Sequence, residues 1–335
     1  MRPDRRMLLT LTVLALAGCA GAPAPRPWAE TATRELNLVL GSFELQGRRV
    51  GVTRSAAAHG PLPVVVYLPG IGQGSDAGQR WAAAWAQAGH AVLTVQPLAD
   101  DAVAWRSALA RTGEFRELGE LHYGEAMRAQ RLAALRGLLT ALQAQPAAAG
   151  ATLDWQRAAV AGYETGAQAA LDLGADAAGW QPRAVIAISP PPMDAPAATA
   201  PLLLITGDND GDPLGLFTRP AQRRRAFETQ RPGAGWLLSL PGLSHTALAG
   251  TLAPEGWHAQ DQHRGGEALG RRGGMGNGQG GGPGPAGGAP RGPRSGSATE
   301  AAYADLSEAT RLSAAFLDSQ LRGAAMPANT RLQVR

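Results

Sequence analysis

Lysine is absent from the 335 residues, so all 31 basic side chains are arginine. Heavy use of alanine, glycine, proline and arginine indicates a GC-rich coding bias, and a single alanine or glycine therefore carries little information. Cysteine is almost absent too: Cys19 stands alone, which excludes an intrachain disulfide. The formal net charge is only +4, and no basic face alternates with aromatics, so nothing suggests a nucleic-acid surface. Part of the positive excess sits near the N-terminus (Arg2, Arg5, Arg6) and part in a glycine-rich tract (Arg264, Arg271, Arg272, Arg291, Arg294). One further absence matters more. The stretch Arg157 to Leu171 reads as a buried strand, a tight turn between Gly162 and Gly166, and the start of a helix, and the turn has Glu164 at its centre instead of a hydroxyl.

The N-terminus is organised around the lone cysteine. Met1 to Arg6 is basic, Met7 to Ala17 is an apolar run too short to span a bilayer, and Leu16-Ala17-Gly18-Cys19 follows. Charge, apolar run, small residues and cysteine together resemble the lipobox of bacterial lipoproteins. That resemblance implies a signal peptide over 1–18, cleavage before Cys19 and lipidation of its thiol, hence a membrane partner. With Ala20 as the second mature residue, it also implies an outer-membrane anchor facing the periplasm. Residues 19–34, which include A-P-A-P-R-P, would be a Pro-rich tether.

Beyond the tether, strand signals alternate with helix signals. Glu35 to Leu45 and Arg48 to Thr53 form a hairpin pattern. Leu62 to Leu68 is a continuous β-branched run of the kind buried on both faces of a parallel sheet. Asp76 is expected to cap a helix running to about Ala88, and Ala91 to Val95 is the next strand. Pro97 to Gly119 reads as irregular, and Leu121 to Gln143 as one long helix. Ala184 to Ile188, Leu202 to Thr206 and Trp236 to Leu240 complete the strands, with a short basic helix over Pro220 to Glu228. Gly265 to Gly296 is low-complexity and expected to be disordered, and Ala301 to Leu321 is an amphipathic helix. The pattern predicts an α/β fold over 35–323, a doubly wound, mostly parallel sheet with helices on both faces and an insertion at 265–296. Residues 324–335 read as a flexible tail.

Three loops at strand ends carry the chemistry, in the order slot, acid, histidine. They are G-Y-E-T-G-A around Glu164, T-G-D-N-D-G-D-P around Asp210 and G-L-S-H ending at His245. Each alone is weak; three aspartates in a turn are ordinarily a solvated loop. Together with P-G-I-G (69–72), D-A-V-A-W-R (101–106) and I-A-I-S-P-P (186–191), the chain from about 36 to 322 resembles the bacterial dienelactone-hydrolase and platelet-activating-factor-acetylhydrolase-like branch of the α/β-hydrolases. The resemblance implies a nucleophile elbow at Gly162–Gly166, a triad acid at Asp210, a base at His245, and an oxyanion hole from the N–H groups of Ile71 and Thr165. Pro69 and Glu164 depart from the pattern, standing where a histidine and the nucleophilic serine belong.

A carboxylate at 164 has no proton to lose at neutral pH and is a poor acyl nucleophile. Three outcomes follow. The first is a hydrolase-like envelope lipoprotein without serine-dependent hydrolysis that binds a small ester or lipid-like ligand, with Glu164, His245 and Asp210 expected in one ion-paired cluster. The second is an active ester hydrolase using Glu164 as base or nucleophile. The third is a non-enzymatic scaffold. Thr165 is expected to face away from His245, and Ser244 to lie out of reach of Nε2. No cofactor and no metal are expected.

Overall fold

The computed structural model describes residues 27–145, 149–193, 200–217, 219–251 and 295–335. The leader, Cys19 and nearly all of the Gly265 to Gly296 insertion lie outside them. Nine strands form one sheet in the order β1-β2-β4-β3-β5-β6-β7-β8-β9. β1 (Leu38–Leu45) and β2 (Arg48–Ser55) make the antiparallel hairpin, and β2 pairs antiparallel with β4 (Ala91–Val95). From β4 the sheet is parallel through β3 (Leu62–Leu68), β5 (Leu153–Tyr163), β6 (Val185–Ile188), β7 (Leu202–Asn209) and β8 (Gly235–Ser244). The short β9 (Leu332–Val334) closes the edge antiparallel to β8. This is a doubly wound α/β fold, as the strand and helix alternation predicts.

The central strands are apolar on both sides, and their alternation divides the core into two layers. Val64, Val66, Val160, Leu202 and Leu204 face one layer with α6 (Glu125–Gln143), α7 (Thr165–Ala175) and α8 (Arg225–Glu228). Val65, Tyr67, Ala159, Leu203 and Ile205 face the other. There Trp81 and Trp85 of α2 (Gln79–Gln87), α9 (His245–Leu248) and the long α10 (Ser295–Arg322) cover the sheet.

Several boundaries differ from the sequence reading. Helix α1 (Pro27–Glu35) occupies the end of the expected tether and buries Ala32 against Leu38, Ala83 and Ala86. Asp76 is not the cap of α2; Gly78 is, in the left-handed conformation. The expected irregular stretch contains α3 (Ala99–Val103), a 3₁₀ turn (Ala104–Arg106), α4 (Ala108–Thr112) and α5 (Phe115–Tyr123), which together make a cap over the sheet edge. The expected long helix breaks at Gly124, where the extended backbone separates α5 from α6. The tail expected to be flexible ends in β9, held further by Arg335 N–H donating to Gly235 and Gly233 N–H to Arg335.

Candidate active site

The residues of the expected catalytic constellation lie at the C-terminal ends of parallel strands, where open α/β sheets build their sites. Glu164 follows β5, Asp210 follows β7, His245 follows β8, and Ile71 follows β3. The turn at Glu164 is sharp. Its φ of 53° and ψ of −116° are rarely adopted by a residue with a side chain. Gly162 and Gly166 make the turn feasible: a Cβ at Gly162 would collide with the backbone of Gly166, and one at Gly166 with the Leu68 carbonyl. The two glycines therefore do what their spacing predicts, bringing strand and helix into backbone contact.

The Glu164 carboxylate is buried and turned toward the β3 loop. Its Oε2 accepts from the Ile71 N–H at 3.0 Å and its Oε1 from the Tyr123 hydroxyl at 2.7 Å. Ile71 was expected to supply an oxyanion donor; that donor is occupied by the chain's own side chain. Thr165, the other expected donor, opens α7, where a helix leaves its first N–H groups without intrahelical partners. Its hydroxyl is buried without a hydrogen-bond partner. Burial pushes the Glu164 carboxyl above its ordinary range, more strongly than the opposing pulls of His245, Tyr123, Ile71 and Arg223. The phenols of Tyr123 and Tyr163 are raised well above theirs, first by burial and then by the Glu164 charge.

Asp210 and His245 meet as the motif order implies, with Nδ1 to Oδ1 at 2.9 Å. Of the expected three-member cluster only the Asp210–His245 contact forms; Glu164 and His245 make no N···O contact within 4.0 Å. The reason is local: the carboxylate finds two donors on the Ile71 side and rotates to them. Asp210 is fully buried and fully partnered, by Ser189 Oγ (2.6 Å), Thr206 Oγ1 (2.8 Å) and the ion-paired Arg223 Nε (3.0 Å). Tyr163 donates to the His245 carbonyl at 2.9 Å and packs its ring 5.0 Å from the imidazole. Ser244 turns away, its hydroxyl capping α9 through the Ala247 N–H.

A second buried network lies behind Tyr123. Asp101 accepts from Arg131 Nε (2.7 Å) and Nη2 (3.0 Å), and its Oδ1 lies 2.8 Å from His122 Nδ1. Arg131 also donates to Gln168 of α7 at 3.1 Å, and Gln168 donates to the Tyr123 carbonyl at 3.3 Å. The Asp101 carbonyl accepts from Gly72 N–H at 2.6 Å, and Gln96 donates to the Gly70 carbonyl at 2.9 Å. These bonds order the 69–72 loop. Trp105 lies directly over Gly72, so any side chain there would strike the indole.

Tyr123, Arg223, His122 and Arg131 escape the sequence reading. Ser189 and Asp101 lie within the I-A-I-S-P-P and D-A-V-A-W-R motifs, but nothing in the sequence signals the contacts they make. Arg223 is one of four arginines between 219 and 225 and is indistinguishable from a surface charge without its burial. Among the described residues no three His, Cys, Asp or Glu side chains converge as a metal site. No helix among them is long and apolar enough to cross a membrane.

A scan against protein-family models finds no match, and no curated protein matches the chain.

Proposed function

We propose that the chain is an α/β-hydrolase-fold protein of the esterase and dienelactone-hydrolase-like type that has exchanged ester turnover for ligand binding. The carrying observation is the bond from Ile71 N–H to Glu164 Oε2 at 3.0 Å. A substrate carbonyl needs that donor as its oxygen becomes an oxyanion. Here a carboxylate already holds it, much as the acid product of ester hydrolysis would. The sheet order, the strained turn and the Asp210–His245 pair support the hydrolase-like reading. Glu164 supplies no hydroxyl proton for His245 and stands outside hydrogen-bonding reach of it. On this reading the ligand is a small ester or lipid-like molecule held at the strand ends near Glu164 and His245. The sequence around Cys19 supports an envelope lipoprotein, and in that case Cys19→Ser moves the protein from the membrane to the soluble fraction.

The test compares wild type with Glu164→Ala. On short-chain p-nitrophenyl esters both are expected to match the uncatalysed background. Butyrate, offered as a free carboxylate, is expected to raise the melting temperature of Glu164→Ala, whose donor is vacated, and to leave the wild type unmoved. Ester turnover by the wild type that disappears in Glu164→Ala would overturn the reading in favour of a Glu164-dependent hydrolase.

A further inference from the structure

We propose that Arg223 holds His245 in the Nε2–H tautomer, with Nδ1 as a hydrogen-bond acceptor, so that the histidine offers a ligand a donor instead of a base. The inference concerns the protons of His245 and stands whether or not the chain hydrolyses an ester. A guanidinium carries five N–H groups and cannot accept. Arg223 is completely buried, and four of its five N–H groups go to backbone carbonyls. They reach Asp210 at 3.0 Å, Ser189 at 2.8 Å, Pro190 at 3.0 Å and Gly211 at 3.0 Å. Its plane is stacked on Phe217, 4.6 Å from the ring centroid, which fixes where the fifth N–H points. That N–H, on Nη2, is directed at His245 Nδ1 from 3.1 Å.

This bond exists only if Nδ1 carries a lone pair. Asp210 Oδ1, 2.9 Å from the same nitrogen, makes the opposite demand, because a carboxylate only accepts. One nitrogen cannot satisfy both, and the partners of Asp210 decide between them. Without a proton from His245, Asp210 still has Ser189 Oγ on Oδ1 and Thr206 Oγ1 on Oδ2, with the guanidinium charge beside it. With a proton on Nδ1, the fifth N–H of Arg223 faces another N–H, and a fully buried donor loses its only acceptor. Ser189 Oγ lies 2.8 Å from Nδ1 and 2.6 Å from Asp210, so its single proton serves either acceptor. Within this cluster, every buried donor of Arg223, Ser189 and Thr206 is therefore paired in the Nε2–H form, and one is orphaned in the Nδ1–H form. A triad base requires the Nδ1–H form, with the Nε2 lone pair facing the nucleophile. In this protein the ligand atom facing His245 is then an acceptor, a carbonyl or carboxylate oxygen.

The test is nitrogen NMR of the intact protein labelled at histidine and arginine. His245 is picked out among the six histidines by the loss of its signals in His245→Gln. At neutral and mildly alkaline pH the wild type is expected to show a protonated Nε2 and an unprotonated Nδ1. A coupling across the hydrogen bond from Arg223 Nη2 to Nδ1 is expected as well. A protonated Nδ1 in the wild type overturns the proposal, whether Nε2 is protonated or not. Arg223→Lys keeps the charge but has too few N–H groups to reach all five acceptors, and it is expected to interchange the two nitrogen signals. A folded Arg223→Lys that retains the Nε2–H pattern refutes Arg223 as the cause. If that variant does not fold, the presence or absence of the coupling in the wild type decides alone.

Discussion

A carboxylate in a buried, left-handed turn is disfavoured in two ways: by its backbone conformation and by the loss of solvent around its charge. Glu164 bears both, and only two donors, Ile71 N–H and the Tyr123 hydroxyl, compensate its oxygens. The direction of its pKa gives the consequence. Because the folded state raises the carboxyl above its ordinary value of 4.5, the folded protein binds this proton more tightly than the unfolded chain does. The contribution favours folding below about pH 4.5 and is lost as pH rises through the folded value. Glu164→Gln removes the charge and keeps an oxygen for Ile71. It is expected to melt at a higher temperature than the wild type at neutral pH, with the gap closing as pH falls toward 4.5. A Glu164→Gln melting temperature below that of the wild type at neutral pH would show that the ionised form is the stabilising one. At this scale the sequence was informative about identity and silent about direction. Glu164, Asp210 and His245 are visible as residues in a pattern. That the carboxylate turns to Ile71 instead of His245 depends on Tyr123, which comes from a helix 41 residues upstream.

The cap is the element that makes the site what it is, and it was the least legible part of the chain. Helices α3 and α4 have five residues each, too few for an apolar period to emerge. The Ser107 N-cap and the Gly113 stop are visible only once a helix is suspected. The strands were legible for the opposite reason: runs such as Leu62–Leu68 are apolar on both faces and bounded by turn residues, and only their ends shifted. What anchors the cap is Asp101. Burial raises its carboxyl, but the hydrogen bonds and charges of His122 and Arg131 outweigh that and hold it below the ordinary range, so it is an anion inside the protein. Asp101→Asn leaves the Arg131 guanidinium buried without its counter-charge, which typically costs about 3–5 kcal/mol. Through the Gly72–Asp101 bond and the Gln168–Tyr123 bond, the loss should fall first on residues 99–123 and on the Glu164 carboxylate. Hydrogen exchange is expected to accelerate across 99–123 while β5 to β7 keep their protection. Uniform acceleration across sheet and cap would mean that the network supports the whole core, not the cap.

Across the whole molecule, the two core layers depend on segments far apart in sequence, and that dependence is not local enough to read from pattern. Helix α10 begins after residue 294, yet it supplies Leu306, Ala309, Leu312, Phe316 and Leu317 to the layer containing Trp81 and Trp85. Trp85 Nε1 donates to Ser313 Oγ at 2.8 Å, and Arg322 donates to the Ala88 carbonyl at 2.7 Å and the Gly89 carbonyl at 2.8 Å. The helix thus clamps the C-terminal end of α2. Phe316 is the largest apolar side chain it buries, with no exposed surface and a ring contact to Trp236 of β8 at 5.4 Å. Phe316→Ala removes that packing and leaves a cavity in a layer that cannot fully collapse, because the strands beneath are fixed by their ladder. The expected loss is about 3–5 kcal/mol, a large share of a typical domain's stability. The other layer, with α6 and α7, shares no side chain with Phe316, so the turn at Glu164 should keep its geometry until the domain unfolds as a unit. Chemical denaturation followed by tryptophan fluorescence and by far-UV circular dichroism is expected to give coincident transitions at a lower denaturant midpoint. Separate transitions would show instead that α10 detaches on its own and that the sheet stands without it.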